Sequence, residues 1–340
     1  MDEPATALPE ARVVWDESRW VRFEETVRRR ALRQSDAGRW RSVVRACRKI
    51  MRTYSTGFFI VSRFLPRCKR DQVEVIYAAV RYPDEVVDTF PLPAGDRRQR
   101  LDAWARAYDR ALAAGGLRES LRADVPCFLA AFAEVVRRNR IPPEHYRDFL
   151  AAMQADTGAR SYDTVDDLIE SYVYGSAIVV GYFLTHVYGA REPSQEQFPR
   201  ALAAARNLGI GLQLTNFARD VGEDHGRNRM YLPREILRAE GIQNLDSGDP
   251  SHREALGRVA RFLAREASGY YEKAARDLDA FAPDSRIAIR ACIDVYGQLN
   301  RRILESERGI VHRESVPLRS KLRALPPSKY WRIPLAYLMP

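Results

Sequence analysis

Apolar residues recur at three- and four-residue spacing along most of the chain, the spacing that gathers them on one face of an α-helix. The positions between are filled largely by Ala, Leu, Arg and Glu, which favour helix over strand. Runs rich in Val and Ile, such as Ala177 to Leu184, sit inside longer helical patterns. Turn signals rich in Gly, Pro and Asp fall at Pro91–Gly95, Ala114–Gly116, Ile141–Pro143, Gly189–Pro193, Gly241–Pro250 and Pro283. They cut the pattern into roughly eight to ten helices. There is no repeat of fixed period and no low-complexity linker. The expected fold class is all-α, with one helical domain over residues 41–325.

The two ends read differently. Residues 1–40 form an N-terminal extension, expected to begin disordered and to continue as a basic amphipathic helix. Met1–Arg12 is acidic and contains Pro, with no apolar core, so it does not have the pattern of a signal peptide. From Trp15 to Arg52, Trp15, Trp20, Phe23 and Trp40 alternate with many arginines. That pattern suits an ordinary surface helix with a solvated Arg face better than one lying on an anionic membrane or covering the domain. Residues 326–340 form an aromatic tail with Tyr330, Trp331, Tyr337 and Leu338, too short to span a bilayer. No stretch reaches about 18 uninterrupted apolar residues, so no transmembrane segment is expected.

Composition narrows the partners. An apolar content of 46% is that of a globular chain. A net charge of +10 favours anionic ligands: diphosphates, a phospholipid surface or nucleic acid. The arginines are spread along the chain rather than gathered on one element, so nucleic acid ranks last. Cys47, Cys68, Cys127 and Cys292 have neither redox nor metal-ligand spacing, as expected of reduced thiols in a cytoplasmic protein. The histidines are far apart and form no HExxH pair, so zinc is not expected.

Two segments carry candidate chemistry. In the first, Tyr77, Arg81, Asp84 and Asp88 fall at i, i+4, i+7 and i+11. At about 100° per residue they share a narrow helical stripe. In the second, Gln213, Asn216, Asp220 and Asp224 make a similar stripe among the apolar Leu212, Leu214 and Phe217. Carboxylates four residues apart on one helix repel, and burying them costs several kcal/mol, in order of magnitude, unless they are paired. A single such stripe is usually a solvated face. Two in one chain, each beside an arginine (Arg81, Arg219), suggest a shared counter-ion. Mg²⁺, with Mn²⁺ as a substitute, takes carboxylate oxygens and bridges to phosphates. The pair therefore reads as a clamp for a diphosphate.

The same segments resemble the signatures of the phytoene/squalene synthase family. The first runs through Tyr54-Ser-Thr-Gly-Phe58, Arg63-Phe-Leu-Pro66, and Ile76-Tyr77-Ala78 to Arg81, Asp84 and Asp88. The central one covers Tyr162-Asp-Thr164, Asp167-Leu168, Tyr172, Tyr174 and Gly175. The last, and most specific, covers Leu208-Gly209, Gln213-Leu-Thr-Asn216, Arg219-Asp220-Val-Gly-Glu-Asp224 and Arg229-Met-Tyr231-Leu-Pro233. The resemblance extends from Tyr54 to Leu322. It implies an isoprenoid synthase fold around a central cavity, with Asp84 and Asp88 facing Asp220 and Asp224 and holding Mg²⁺. It further implies diphosphate contacts from Tyr54, Ser55, Arg81, Asn216, Arg219 and Arg229, and a reaction centre formed by Tyr77, Tyr174, Gln213 and Tyr296. The implied reaction joins two farnesyl or geranylgeranyl diphosphates head to head, through a cyclopropyl diphosphate. It ends by proton loss, giving phytoene or dehydrosqualene, or by hydride from NADPH, giving squalene; the phytoene type is favoured. Peripheral contact with the inner membrane face is expected, because the product is insoluble in water.

Some positions depart from the family pattern. Tyr54 stands where many relatives have His, and Glu85 where Asp is usual. Pro83 precedes Asp84 and is expected to kink the helix or start a new one, because an interior Pro costs about 3 kcal/mol. Ile178 stands where Gly is usual and is expected to narrow the cavity. The C-terminal cations Arg313, Arg319 and Lys321 are further candidates for a diphosphate contact. Two other readings stay open. One is a non-catalytic relative acting as an assembly or lipid-handling factor, which should have lost the aspartates. The other is a terpene cyclase acting on one diphosphate, which should pair an aspartate motif with an Asn/Ser/Glu triad.

Overall fold

The structure, a computed structural model, describes residues 15–158, 160–192, 196–226, 229–242, 250–306, 310 and 312–338. Among these the chain is helical, with no strand and one isolated bridge between Ala190 and Phe281. The helices are α1 (Glu17–Leu32), α2 (Asp36–Tyr54), α3 (Thr56–Ser62), α4 (Arg67–Asp88), α5 (Ala94–Ala113), α6 (Leu117–Arg122), α7 (Cys127–Asn139) and α8 (Pro143–Ala155). There follow α9 (Val165–Leu168), a π-helix (Ile169–Ile178) and α10 (Val179–Tyr188) in one unbroken run. The rest are α11 (Gln197–Gly226), α12 (Arg234–Ala239), α13 (Pro250–Arg276), α14 (Pro283–Leu304), α15 (Leu318–Ala324) and α16 (Lys329–Leu338).

Every turn signal read from the sequence falls at a helix boundary. The count is higher than expected because short helices such as α3, α6 and α12 lie inside patterns that read as single helices. The polar residues before several helices explain their starts. Asp16 accepts from the Arg19 amide at 2.6 Å, and Thr164 from the Asp167 amide at 3.0 Å. Such caps satisfy first-turn N–H groups that have no helical partner.

Two hydrophobic cores form the body. The first gathers residues of α1 to α8 and α10, with Trp20, Phe128, Phe132 and Tyr146 wholly buried. The second gathers the π-helix, α11, α12 and α13. Helix α14 joins them: Ala288, Cys292 and Val295 enter the first core, and Ile289, Ile293 and Ile303 the second. Trp15 and Trp20 are buried in the first core, and α2 runs across the expected boundary at residue 40. Helices α1 and α2 thus belong to the same packed body as the rest. The run Val165–Tyr188 is long and apolar enough to cross a membrane by length and composition. Half of it is buried, and it supplies residues to both cores, as a central helix of a folded domain does.

Of the two outcomes expected at Pro83, a new helical segment does not occur. Helix α4 continues through it to Asp88 rather than restarting. Proline has no N–H to give the carbonyl four residues back. That carbonyl, on Ala79, instead accepts from the Tyr146 hydroxyl at 2.7 Å. Tyr146 in turn accepts from Trp104 Nε1 at 2.8 Å. A side chain from α8 thus replaces the missing helical bond, and the spacing across Pro83 holds.

Candidate active site

Where the two cores meet lies a cavity of about 250 Å³. Its lining is mostly apolar, from Met51 and Val61 on one side to Leu208 and Ile289 on the other. The polar groups among the lining residues include Tyr77, Arg81 and Asp84 from α4 and Gln213 and Asn216 from α11. The stripe periodicity accounts for this grouping, since each helix turns one face to the cavity. Helix α11 is buried on other sides too, through Leu214, Phe217, Ala218 and Val221.

Arg81 is the hub of the α4 stripe. Its Nε and Nη2 donate to the Tyr77 hydroxyl at 3.1 and 2.7 Å, and its Nη1 pairs with Asp84 and, at 3.2 Å, with Glu85. Burial works against its charge. The Tyr77 oxygen and the Asp84 and Glu85 carboxylates outweigh burial and hold the guanidinium cationic more firmly than usual. Glu85 is buried, and burial pushes its carboxyl up to about 7 in spite of Arg81.

On α11, Asn216 Nδ2 lies 3.5 Å from Gln213 Oε1. Arg219 and Asp220 are held together, with Nε to Oδ1 at 2.7 Å. Arg313 donates to the same Asp220 oxygen at 2.8 Å and lies 3.1 Å from Glu223. Burial alone would raise the Asp220 carboxyl, but Arg219 and Arg313 outweigh it and hold it below the usual range. Arg313, one of the C-terminal cations singled out in the sequence, therefore reaches the second motif. The segment after α11 links the two motifs. The Arg229 amide donates to the Asp224 carbonyl at 2.9 Å, while its side chain pairs with Asp88 and donates to the Val87 carbonyl at 3.0 Å.

The reaction-centre residues divide. Tyr77 and Gln213 line the cavity. Tyr296 stands beside it, its ring 5.5 Å from Phe58, which lies 6.3 Å from Tyr77. Phe58, noted only as part of a signature, is thus the middle of an aromatic trio at the cavity wall. Tyr174 is not among the lining residues; its electrostatic neighbours are Asp148 and Tyr182. The π-helix explains the shift. Its wider turn breaks the 3.6-residue register, and Gly175 packs so closely on α8 that a Cβ would lie 2.8 Å from the Asp148 carbonyl. Tyr172 instead turns to Asp156. It pairs with Asp156, lies 3.3 Å from the Tyr231 hydroxyl and stacks on that ring at 4.9 Å. Burial lifts the Asp156 carboxyl to about 6, while the Tyr172 hydroxyl and the Arg229 charge work the other way.

Other expected contacts lie behind the cavity. The Tyr54 ring is 5.3 Å from the Arg81 guanidinium carbon and packs on Trp15 and Trp20. Tyr54 therefore backs Arg81 through its ring face. Ser55 caps α3, accepting from the Phe58 amide at 3.3 Å. Arg63 is buried against Glu74, which also accepts from Arg48 at 3.1 Å, so it knots α2, α3 and α4 together. Ile178 does not narrow the cavity. It is buried in the second core, and Ser176 and Ala177 line the cavity in its place. Close approach there is supplied by Gly209 on α11, where a Cβ would lie 3.3 Å from the Ile178 Cα.

The donor set fits a hard divalent cation. Asp84, Asp88, Asp220 and Asp224 offer carboxylate oxygens only, and each of the first three already has a cationic partner to exchange. Among the described residues no three acidic, His or Cys groups form a ready cage. Mg²⁺ does not need one, because it binds through one or two carboxylates, waters and substrate phosphates.

The chain is similar to known proteins in sequence and in fold. The squalene/phytoene synthase family model matches residues 51–323. A 15-cis-phytoene synthase of Enterobacter agglomerans is 32% identical over 260 residues, covering 75% of this chain and 84% of its own. A phytoene synthase of Arthrospira platensis is 29% identical, covering 82% of this chain and 90% of its own. Among solved structures, a dehydrosqualene synthase superimposes with a TM-score of 0.68 at 20% identity, covering 88% of this chain and 98% of its own. A squalene synthase from Alicyclobacillus acidocaldarius gives 0.63 at 24%, covering 82% and 97%. With the family model spanning both aspartate helices and everything between them, the chain belongs to the squalene/phytoene synthase family.

Proposed function

We propose that this protein is a prenyltransferase that joins two prenyl diphosphates head to head, with a phytoene-type product favoured. One observation carries the reading: an apolar cavity with Tyr77, Arg81, Asp84, Gln213 and Asn216 among its lining groups. An amphiphile with a long hydrocarbon tail and an anionic head matches that distribution.

Arg81 and Asn216 hold the head, with Arg219, Arg229 and Arg313 supplying further positive charge nearby. Asp84 and Asp88 on α4 and Asp220 and Asp224 on α11 would hold Mg²⁺ or Mn²⁺. The metal, when bound, neutralises the diphosphate and makes it a better leaving group. The C1–O bond of one substrate breaks, and its bonding pair leaves with the diphosphate. The double bond of the second substrate attacks the allylic cation, and proton loss closes a cyclopropane. Loss of the second diphosphate opens that ring to the 1–1′ link, and a final proton loss gives the hydrocarbon. The Tyr77, Phe58 and Tyr296 faces stabilise positive charge without offering a nucleophile. The apolar walls keep out water, which would quench the cation. NADPH is needed only if the product is squalene.

The test is incubation of the purified protein with Mg²⁺ and farnesyl or geranylgeranyl diphosphate, with and without NADPH, followed by mass spectrometry of the extract. A C40 or C30 hydrocarbon, lost in Asp84→Ala or Asp220→Ala and with EDTA, supports the proposal and names the substrate. A C15 or C20 product makes the protein a single-substrate cyclase. Folded protein that neither turns over nor binds the diphosphates is a non-catalytic relative.

A further inference from the structure

The outer surface of α16 is inverted relative to an ordinary surface helix. Tyr330 is 76% exposed, Trp331 61% and Leu335 49%, three of the largest apolar exposures among the described residues, all within six positions. On a helical wheel they span an arc of about 140°, with exposed Pro334 between them. The cations of the same helix turn the other way. Lys329 Nζ donates to the Leu322 and Leu325 carbonyls at 2.6 and 3.0 Å, and Arg332 Nη1 to the Arg63 carbonyl at 3.1 Å. Ile333 packs on the first core from the same underside. The helix is thus fastened to the body by its polar groups and presents aromatic and aliphatic groups to solvent.

A soluble surface helix normally does the reverse. Contiguous exposed apolar groups mark an interaction site, and Trp and Tyr beside cations suit the interface of a bilayer. The surrounding charge favours an anionic surface. Residues 315–340 contain Arg319, Lys321, Arg323, Lys329 and Arg332 and no Asp or Glu, and Arg319 and Arg323 are exposed. At the foot of the helix, a shallow groove of about 330 Å³ runs between α14 and Leu325–Pro326. Leu278, Ala291 and the exposed Ile287 line it, and its charged groups Arg290 and Asp294 pair with each other at 3.4 Å, so it adds apolar area rather than charge.

We infer that α16, with the adjoining groove, is a docking surface for an anionic phospholipid bilayer, on which the protein lies without spanning it. Tyr330, Trp331 and Leu335 enter the headgroup boundary, and Arg319 and Arg323 pair with lipid phosphates. The inference stands on surface chemistry. Its link to the proposed reaction is that a bilayer receives a hydrocarbon that water does not.

The experiment is sedimentation of the full chain with vesicles of phosphatidylcholine alone and of phosphatidylcholine mixed with phosphatidylglycerol. The expected result is binding to the mixed vesicles that weakens with salt. Tyr330→Ser/Trp331→Ser/Leu335→Ser should lower it about tenfold or more. Arg319→Gln and Arg323→Gln should each lower it about fivefold. These residues are exposed, so the variants should keep the wild-type circular dichroism and melting temperature. As a measurement free of the triple variant, brominated lipid should quench wild-type tryptophan fluorescence more than that of Trp331→Phe. Equal sedimentation of wild type and triple variant overturns the inference, as does failure of wild type to bind either vesicle. Conversion of a dimer to a monomer in the triple variant, with vesicle binding unchanged, also overturns it and assigns the face to a second copy. None of these readouts uses turnover, so failure of the catalytic proposal leaves them intact.

Discussion

Replacing Tyr146 by Phe removes one oxygen atom and tests how α4 tolerates Pro83. The hydroxyl has two buried partners, the Ala79 carbonyl at 2.7 Å and Trp104 Nε1 at 2.8 Å. Tyr146 is 1% exposed and Ala79 is wholly buried. Tyr108, Phe132, Phe149 and Phe183 all pack within about 6 Å of the Tyr146 ring, so water has little room to substitute. Each orphaned group costs about 1–3 kcal/mol, which gives about 2–6 kcal/mol in all. For a chain of this length that is a fall of about 3–8 °C in Tm. Urea or thermal denaturation followed by circular dichroism measures it. The decisive arm is a double-mutant cycle with Pro83→Ala, which restores an N–H for the Ala79 carbonyl. In that background Tyr146→Phe should orphan only Trp104 Nε1 and cost at least about 1 kcal/mol less. Equal cost in both backgrounds, or a cost below about 0.5 kcal/mol in the native one, would refute the argument that Tyr146 replaces the helical bond.

Further outcomes follow from other contacts. Glu74→Gln should destabilise by about 3–5 kcal/mol in denaturant titration, because it leaves the buried Arg63 without its counter-charge. Arg229→Gln removes the ion pair to Asp88 and so the side-chain half of the tie between the two motifs; KM for the prenyl diphosphate should rise several-fold, with Arg229→Lys restoring part of it in steady-state assays. Glu85 has its carboxyl lifted from 4.5 to about 7. Its protonated form therefore supports the fold at low pH, and that support fades as pH rises through about 7. Glu85→Gln should flatten the wild-type stability loss between these values, which is about 1–3 kcal/mol by melting at several pH values.

The aspartate stripes were legible because a single physical rule, the helical period, fixes which side chains share a face. Tyr77, Arg81 and Asp84 meet as that rule requires. The helix boundaries were legible because Gly and Pro act locally on the backbone. Bonds between distant segments left no comparable mark. Nothing in the sequence near Pro83 announces that Tyr146, on α8, will supply a donor, so the proline read as a kink or a new start. Nothing near Asp220 announces Arg313, which arrives from the segment between α14 and α15.

The tyrosines of the central run show a sharper limit. Tyr172 and Tyr174 stand two residues apart, and ordinary helical geometry puts them about 160° apart, so only one can face a given neighbour. Which one does so depends on the π-helical turn, where the Val179 amide bonds back to the Tyr174 carbonyl. That wider turn is favoured by packing rather than propensity. A side chain at Gly175 would collide with Ala152 and the Asp148 carbonyl of α8, so the backbone approaches α8 there and the residues on either side rotate with it. Tyr172 then falls against Asp156 and Tyr231, and Tyr174 turns toward Asp148 and Tyr182. Gly175→Ala should push this turn away from α8, weaken the Tyr172–Asp156 pair and lower turnover together with stability. Near-wild-type melting and turnover in that variant would show that the close approach does not set the register.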